Sequence, residues 1–147
     1  MGYWNYQIFC NDTALDILDE LLEEGNVIEA IECYLDSILS SLDEYIEENK
    51  CQYGLVSTVI IDSKINGVDR TLLSDGEWDD YEYYHVIERI TLNEAIALKD
   101  KAIQVIDRLL MRNCELRELW EENEELYKVW KNHLLKIRYR LFESNDI

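Results

Sequence analysis

Four cysteines, two histidines and the adjacent carboxylates Asp79/Asp80 and Glu121/Glu122 are the side chains of this sequence most suited to chemistry. Cys10, Cys33, Cys51 and Cys114 are widely spaced, and no C-x-x-C occurs. With only His85 and His133 to add, this spacing argues against a zinc site. Four reduced thiols, mostly buried, in a reducing compartment are the expectation. Glu121 and Glu122 are neighbours, and neighbours on a helix point apart, so they are poor co-ligands. Asp79 and Asp80 fall beside a turn signal, where weak Ca²⁺ binding competes with the simpler reading of solvated charge. His133 lies on an apolar helical stripe and reads as a hydrogen-bonded core histidine rather than a general base. There is no glycine-rich phosphate loop, H-E-x-x-H, G-x-S-x-G or EF-hand pattern. The residues form no constellation for an enzyme, and no metal or cofactor is expected.

The elements that would position these residues read as helices. The chain has 147 residues and no proline. This length suits one domain over 1–147 with a substantial core, burying roughly 68–70% of its unfolded surface. The absence of proline favours long uninterrupted helices. Asn11 or Asp12 can cap a first helix whose apolar face is Ala14, Leu15, Leu18, Leu21 and Leu22, with Gly25 as its stop. A second helix starts near Asn26, carries the stripe Val27, Ile28, Ile31, Tyr34, Leu35, Ile38, Leu39 and Leu42, and ends near Ser40 and Ser41. Segment 52–66 contains "LVSTVII", which is β-branched, yet Leu55, Val56, Val59 and Ile60 also fit a helical face. A lone strand lacks a partner, so a buried helix closed by Gly67 is expected. Thr91 and Glu94 form a capping box for a helix running on to Leu110. Asn113 then ends one helix and caps a short one with Leu116, Leu119 and Trp120. The last helix spans about Glu124 to Phe142. The predicted fold is all-α, five or six helices, with an N-terminal aromatic arm and one elaborated loop over 68–90.

Charge is uneven. Residues 1–61 carry 13 acids and one base, Lys50, whereas 101–147 carry 9 of each. The net charge of −18 therefore resides in the first two thirds. Such a field repels nucleic acid and anionic membranes and speeds the arrival of a basic protein. Acidic helices also serve solubility alone. The longest apolar run, "GLVSTVII", is too short to span a bilayer. The N-terminus lacks the basic and apolar regions of a secretory signal. A soluble, cytoplasmic protein is expected.

Two stretches resemble a bacterial family, the domain of unknown function 4259. Its members begin G-x-W-G-x-G-x-F-x-N-D, matched here by Gly2, Trp4, Phe9, Asn11 and Asp12, and followed by a helix like "TALDILDEL". Asn5 and Gln7 stand where the family has glycines. Near the other end a segment like "SELRELWEE" is matched by Cys114 to Glu122. The resemblance implies an α-helical domain and no known enzymatic activity. Some relatives are encoded with polymorphic toxin systems, which implies an immunity role for some members. Trp4 and Phe9 are expected to plug the core near Trp120.

Together these readings point to a non-enzymatic protein-binding protein, in particular an immunity protein that occludes a basic toxin domain. The expected contact surface joins Asp16, Asp19, Glu20 and Glu23 with Trp78, Asp79, Asp80, Tyr81, Tyr83 and Tyr84, because acids steer and aromatics anchor. The alternative is an enzyme or small-ligand domain with a site near the 78–85 loop.

Overall fold

The segment with neither a clean helical stripe nor a strand alternation is the one around which the rest of the molecule packs. A computed structural model describes residues 12–68 and 81–144. Among these, α1 is Asp12–Glu23, α2 Val27–Leu39, α3 Glu48–Asn66, α4 Tyr81–Glu88, α5 Leu92–Ala97, α6 Lys99–Leu109, α7 Glu115–Glu121 and α8 Glu124–Glu143. The architecture is all-α. Eight helices replace the five or six expected, and no strand occurs among the described residues. One isolated parallel bridge joins Ile46 to Cys114.

The helix α3 contacts every other helix. From Leu55 to Ser63 every one of its residues is buried. A helix surrounded on all sides needs no polar face, which explains the missing stripe. It packs tightly at Gly54, where an added Cβ would stand 2.6 Å from Ile38 Cγ1 of α2 and 3.4 Å from Val105 Cγ1 of α6. Two polar side chains of α3 find partners within the helix. Thr58 Oγ1 donates to Gly54 O at 2.9 Å, and Asn66 Nδ2 donates to Asp62 Oδ1 at 2.9 Å. Asp62 is fully buried and pairs with Arg140 of α8, Nε to Oδ1 at 3.4 Å. Gly67 closes the helix at φ 90, a left-handed backbone that glycine adopts without steric cost.

The other ends follow the sequence closely. Asn26 caps α2 by accepting from Glu29 N–H at 3.2 Å. Thr91 and Glu94 form the reciprocal capping box at the start of α5. Asn123 caps α8 through Leu126 N–H at 3.1 Å. The helix expected to run from Leu92 to Leu110 is broken at Leu98, whose N–H donates to Ala95 O at 3.0 Å, tightening the turn and turning its side chain into the core. Within the 68–90 segment expected to be a loop, Tyr81–Glu88 is helical, and 69–80 lie outside the described residues. Asn113 was expected to end one helix and cap the next, but α6 stops at Leu109 with Leu110 as its cap, Asn113 lies in the connection at φ 61, and Cys114 takes the cap position of α7.

The connection between α2 and α3 is tied down by the connection between α6 and α7. Arg108 is buried and donates through Nε to Leu42 O at 2.5 Å, and through its two Nη atoms to Arg112 O at 2.8 Å and Glu44 O at 2.6 Å. Asn113 Nδ2 donates to Asp43 O at 2.7 Å. Glu115 Oε1 accepts from Glu48 N–H at 2.7 Å and so caps α3 from a distant helix. These bonds hold Leu42 at φ 53, a left-handed conformation rare for leucine. Trp120 is buried and stacks on Trp130 with ring centroids 6.2 Å apart. Its expected partners Trp4 and Phe9 lie outside the described residues.

Candidate functional site

The helix α1 turns Ala14, Ile17, Leu18 and Leu21 into the core, each at most 1% exposed. The 3.6-residue period then forces Asp16, Asp19, Glu20 and Glu23 outward, and all four are exposed. Among the described residues none of the four makes an ion pair. On α2, by contrast, Lys101 Nζ of α6 meets both Glu32 Oε2 and Asp36 Oδ1 at 2.8 Å. The C-terminus of α1 has no basic residue of its own, and Arg89 supplies one by donating to Leu22 O at 2.6 Å.

Beside this ridge lies an aromatic pair. Tyr34 of α2 and Tyr53 of α3 tilt against each other with centroids 4.6 Å apart. Tyr53 Oη donates to the Glu20 carboxylate, at 2.7 Å from Oε1 and 2.8 Å from Oε2. The two rings, with Ser37, Glu47, Asn49 and Lys50, line a cavity of about 300 Å³. Burial, then the hydrogen bond to Glu20, pushes the Tyr53 phenol up to about 12. Burial, then the charges of Glu20 and Glu24, raises that of Tyr34. Both phenols therefore stay neutral near pH 7 and keep their donor protons. Half-buried aromatic faces beside exposed carboxylates are suited to holding an ammonium or guanidinium group. No cluster of three or more metal-ligating side chains occurs among the described residues, and none of their helices is long and apolar enough to cross a membrane.

The expected anchors are placed differently. Trp78, Asp79 and Asp80 lie outside the described residues. Tyr81 starts α4, and its side chain is not among those described. Tyr83 is 1% exposed, so it is a core residue and not a surface anchor. Its ring shares the inward face of α4 with Val86, and its hydroxyl hydrogen-bonds Ser63 and reaches Val59 O at 3.4 Å. Tyr84 is half-buried, edge-on to Tyr83 at 6.0 Å. Of the four α1 acids, Glu20 is thus brought into contact with Tyr53, and the charge of Asp16 also reaches it. Sequence reasoning counted Tyr34 as part of the α2 stripe and passed over Tyr53. The available signal was that a partly buried tyrosine needs a partner for its hydroxyl, in a region whose single base is Lys50.

No curated protein and no solved structure matches the chain. The family model described as domain of unknown function DUF4259 matches residues 2–133, including both motifs that carry the resemblance, and the chain belongs to that family.

Proposed function

We propose that this chain is a non-enzymatic protein-binding protein that docks a basic partner on the ridge formed by α1 and the Tyr34–Tyr53 pair, acting as an immunity protein that occludes a toxin domain. The observation that carries this reading is the set of exposed acids Asp16, Asp19, Glu20 and Glu23 on one helix, without ion pairs among the described residues, with Glu20 joined to one of two half-buried, mutually packed tyrosines. Opposite charge accelerates and orients the encounter. Aromatic groups at the edge of a cavity anchor the complex once formed. A lysine or arginine from the partner would enter the cavity against the two rings, with Glu47 of the lining and Glu20 behind Tyr53 as counter-charges and with Lys50 of the lining held to Ser41 Oγ.

The test is co-expression with the product of the adjacent gene. Wild-type chain should relieve that product's toxicity and co-purify with it. Replacing Tyr34 and Tyr53 by alanine should speed dissociation roughly tenfold or more, since anchor loss is felt mainly in the off-rate. Unchanged dissociation in a folded double variant would remove the tyrosine pair from the interface. An adjacent product that is neither toxic nor bound would remove the immunity reading.

A further inference from the structure

Cys51 near the start of α3 and Cys114 at the cap of α7 lie 63 residues apart in sequence, yet their sulfurs stand 3.3 Å from each other. Both are buried, at 0% and 1% exposure. The backbone around them is fixed. Ile46 N–H donates to Asn113 O at 2.8 Å and Glu115 N–H donates to Ile46 O at 2.9 Å, bracketing Cys114, while Cys51 Sγ lies 3.6 Å from Ile46 O. The sulfurs need to close only by a little over an ångström to reach a disulfide bond length of about 2.05 Å. The two thiols differ in access. Cys114, and not Cys51, contributes to the wall of a cavity of about 290 Å³ that also includes Met111, Arg112 and Arg117. We propose that Cys51 and Cys114 are a reversible dithiol–disulfide pair, in which Cys114 meets a peroxide oxidant from this cavity and Cys51 resolves it.

The electrostatics agree with that division of roles. The hydrogen bond between the two sulfurs lowers the Cys114 thiol. The backbone N–H groups of Arg117 and Leu116 and the charge of Arg108 act in the same sense, while burial opposes them. The same hydrogen bond and burial raise Cys51. The thiolate is the nucleophile of the pair. Cys114 sulfur attacks one peroxide oxygen, forming S–O and breaking O–O, and the departing oxygen takes up a proton as water. Cys51 sulfur then attacks the Cys114 sulfenic acid, forming S–S and breaking S–O. The second oxygen leaves as water with the Cys51 proton. Two thiols lose two electrons and one peroxide becomes two waters. A dithiol reductant reverses the step. The bond would lock α3 to the α6–α7 connection at the point where Arg108 already ties it to the α2–α3 connection. A metal is not the reading here, because two thiols alone do not complete a ligand set and no further ligand joins them among the described residues.

The experiment treats the folded full-length chain with hydrogen peroxide, alkylates remaining thiols and maps peptides without reduction. The expected product is a single Cys51–Cys114 cross-link, two hydrogens lighter than the reduced pair, with a melting temperature raised by several degrees and restored by dithiothreitol. Exposed Cys33 serves as the internal reference. In Cys51→Ala, Cys114 should stop as a sulfenic acid that reacts with dimedone. In Cys114→Ala, Cys51 should stay unmodified at the same dose. Oxidation of Cys33 with Cys51 and Cys114 both left as thiols, or a wild-type map with Cys33 cross-linked to either, would overturn the proposal whether or not the variants fold.

Discussion

Helices α1 and α3 both carry polar side chains through the middle of their length, and they use them in opposite ways. In α3 the polar groups face inward, and most are committed: Thr58 to Gly54 O, Asp62 to Arg140 and Asn66, Ser63 to Tyr83. In α1 the acids face water and no cation neutralises them among the described residues. Tyr53 alone reaches one of them, Glu20. Removing a committed buried group leaves its partner stranded, whereas removing a solvated charge strands nothing. Polarity in α3 therefore serves the fold. Polarity in α1 is left over once the fold is built, which is where a binding role finds room.

The comparison breaks first, and hardest, at Asp62. Asp62→Ala leaves the Arg140 guanidinium without its buried counter-charge. It should destabilise the protein by about 3–5 kcal/mol, lowering the melting temperature on the order of ten degrees. Denaturant unfolding checks this, and a loss as small as that of an exposed pair would place Asp62 in the same class as the α1 acids. Next comes Gly54→Ala. The added methyl gains about 1 kcal/mol of helix propensity but must displace Ile38 Cγ1 from a 2.6 Å contact. Overpacking costs about 1–3 kcal/mol, so the net change should be a loss. A gain in stability would mean that α2 and α3 separate easily.

Alkaline pH probes both regions at once. Burial raises the Tyr83 phenol, and burial with the Glu20 hydrogen bond raises Tyr53 from 10.0 to about 12. A phenol whose folded pKa lies above its unfolded value binds its proton more tightly when folded. The resulting stability is complete below pH 10 and is lost as pH rises through about 12. Tyr34 is raised too, and the hydrogen bond to Glu118 raises exposed Tyr45 to about 12. Tyrosinate absorbance and the unfolding midpoint, followed together, should therefore show four delayed tyrosines among the described residues and a fall in stability over that window. Tyr53→Phe should remove one delayed phenol and soften the fall. A smaller effect of opposite sign is expected at Ser57, which is fully buried on α3 with no hydrogen-bond partner for its hydroxyl among the described residues. Ser57→Ala should be neutral or raise stability by up to about 1 kcal/mol, because it removes a desolvated group that gains nothing in return. A clear loss would show that the hydroxyl is engaged.

The same contrast explains what was legible in the sequence. Elements whose faces differ were readable. The stripe of α2 with its Asn26 cap, the Thr91–Glu94 box and the last helix with its Asn123 boundary were recoverable because one side meets water. The segment 52–66 was harder because burial on all sides removes the periodic signal. Its helicity rested on the lack of a strand partner, and α3 bears that out. The break at Leu98 had no glycine or proline to announce it. For the candidate site, the acids Asp16, Asp19, Glu20 and Glu23 were legible from spacing alone. The aromatic half was not, since only the packing of α2 on α3 brings Tyr34 to Tyr53. Tyr83 was misplaced for the converse reason. Its acidic sequence neighbours suggested solvent, whereas the face it shares with Val86 carries it into the core. Cys51 and Cys114 were read as separate buried thiols, and no local pattern reveals a pair formed by two connections meeting in space.

The most direct test of the account is the association rate of the purified chain with the product of the adjacent gene, measured at low and high salt for wild type and for a variant with Asp16, Asp19, Glu20 and Glu23 changed to their amides. The variant should unfold within about 0.5 kcal/mol of wild type, because surface changes away from committed groups have little effect. Wild-type association should slow roughly tenfold or more between low and high salt, as screening removes steering. The variant should start slow and respond weakly to salt. A variant that associates as fast as wild type, with the same salt dependence, would contradict the claim that α1 is the docking face.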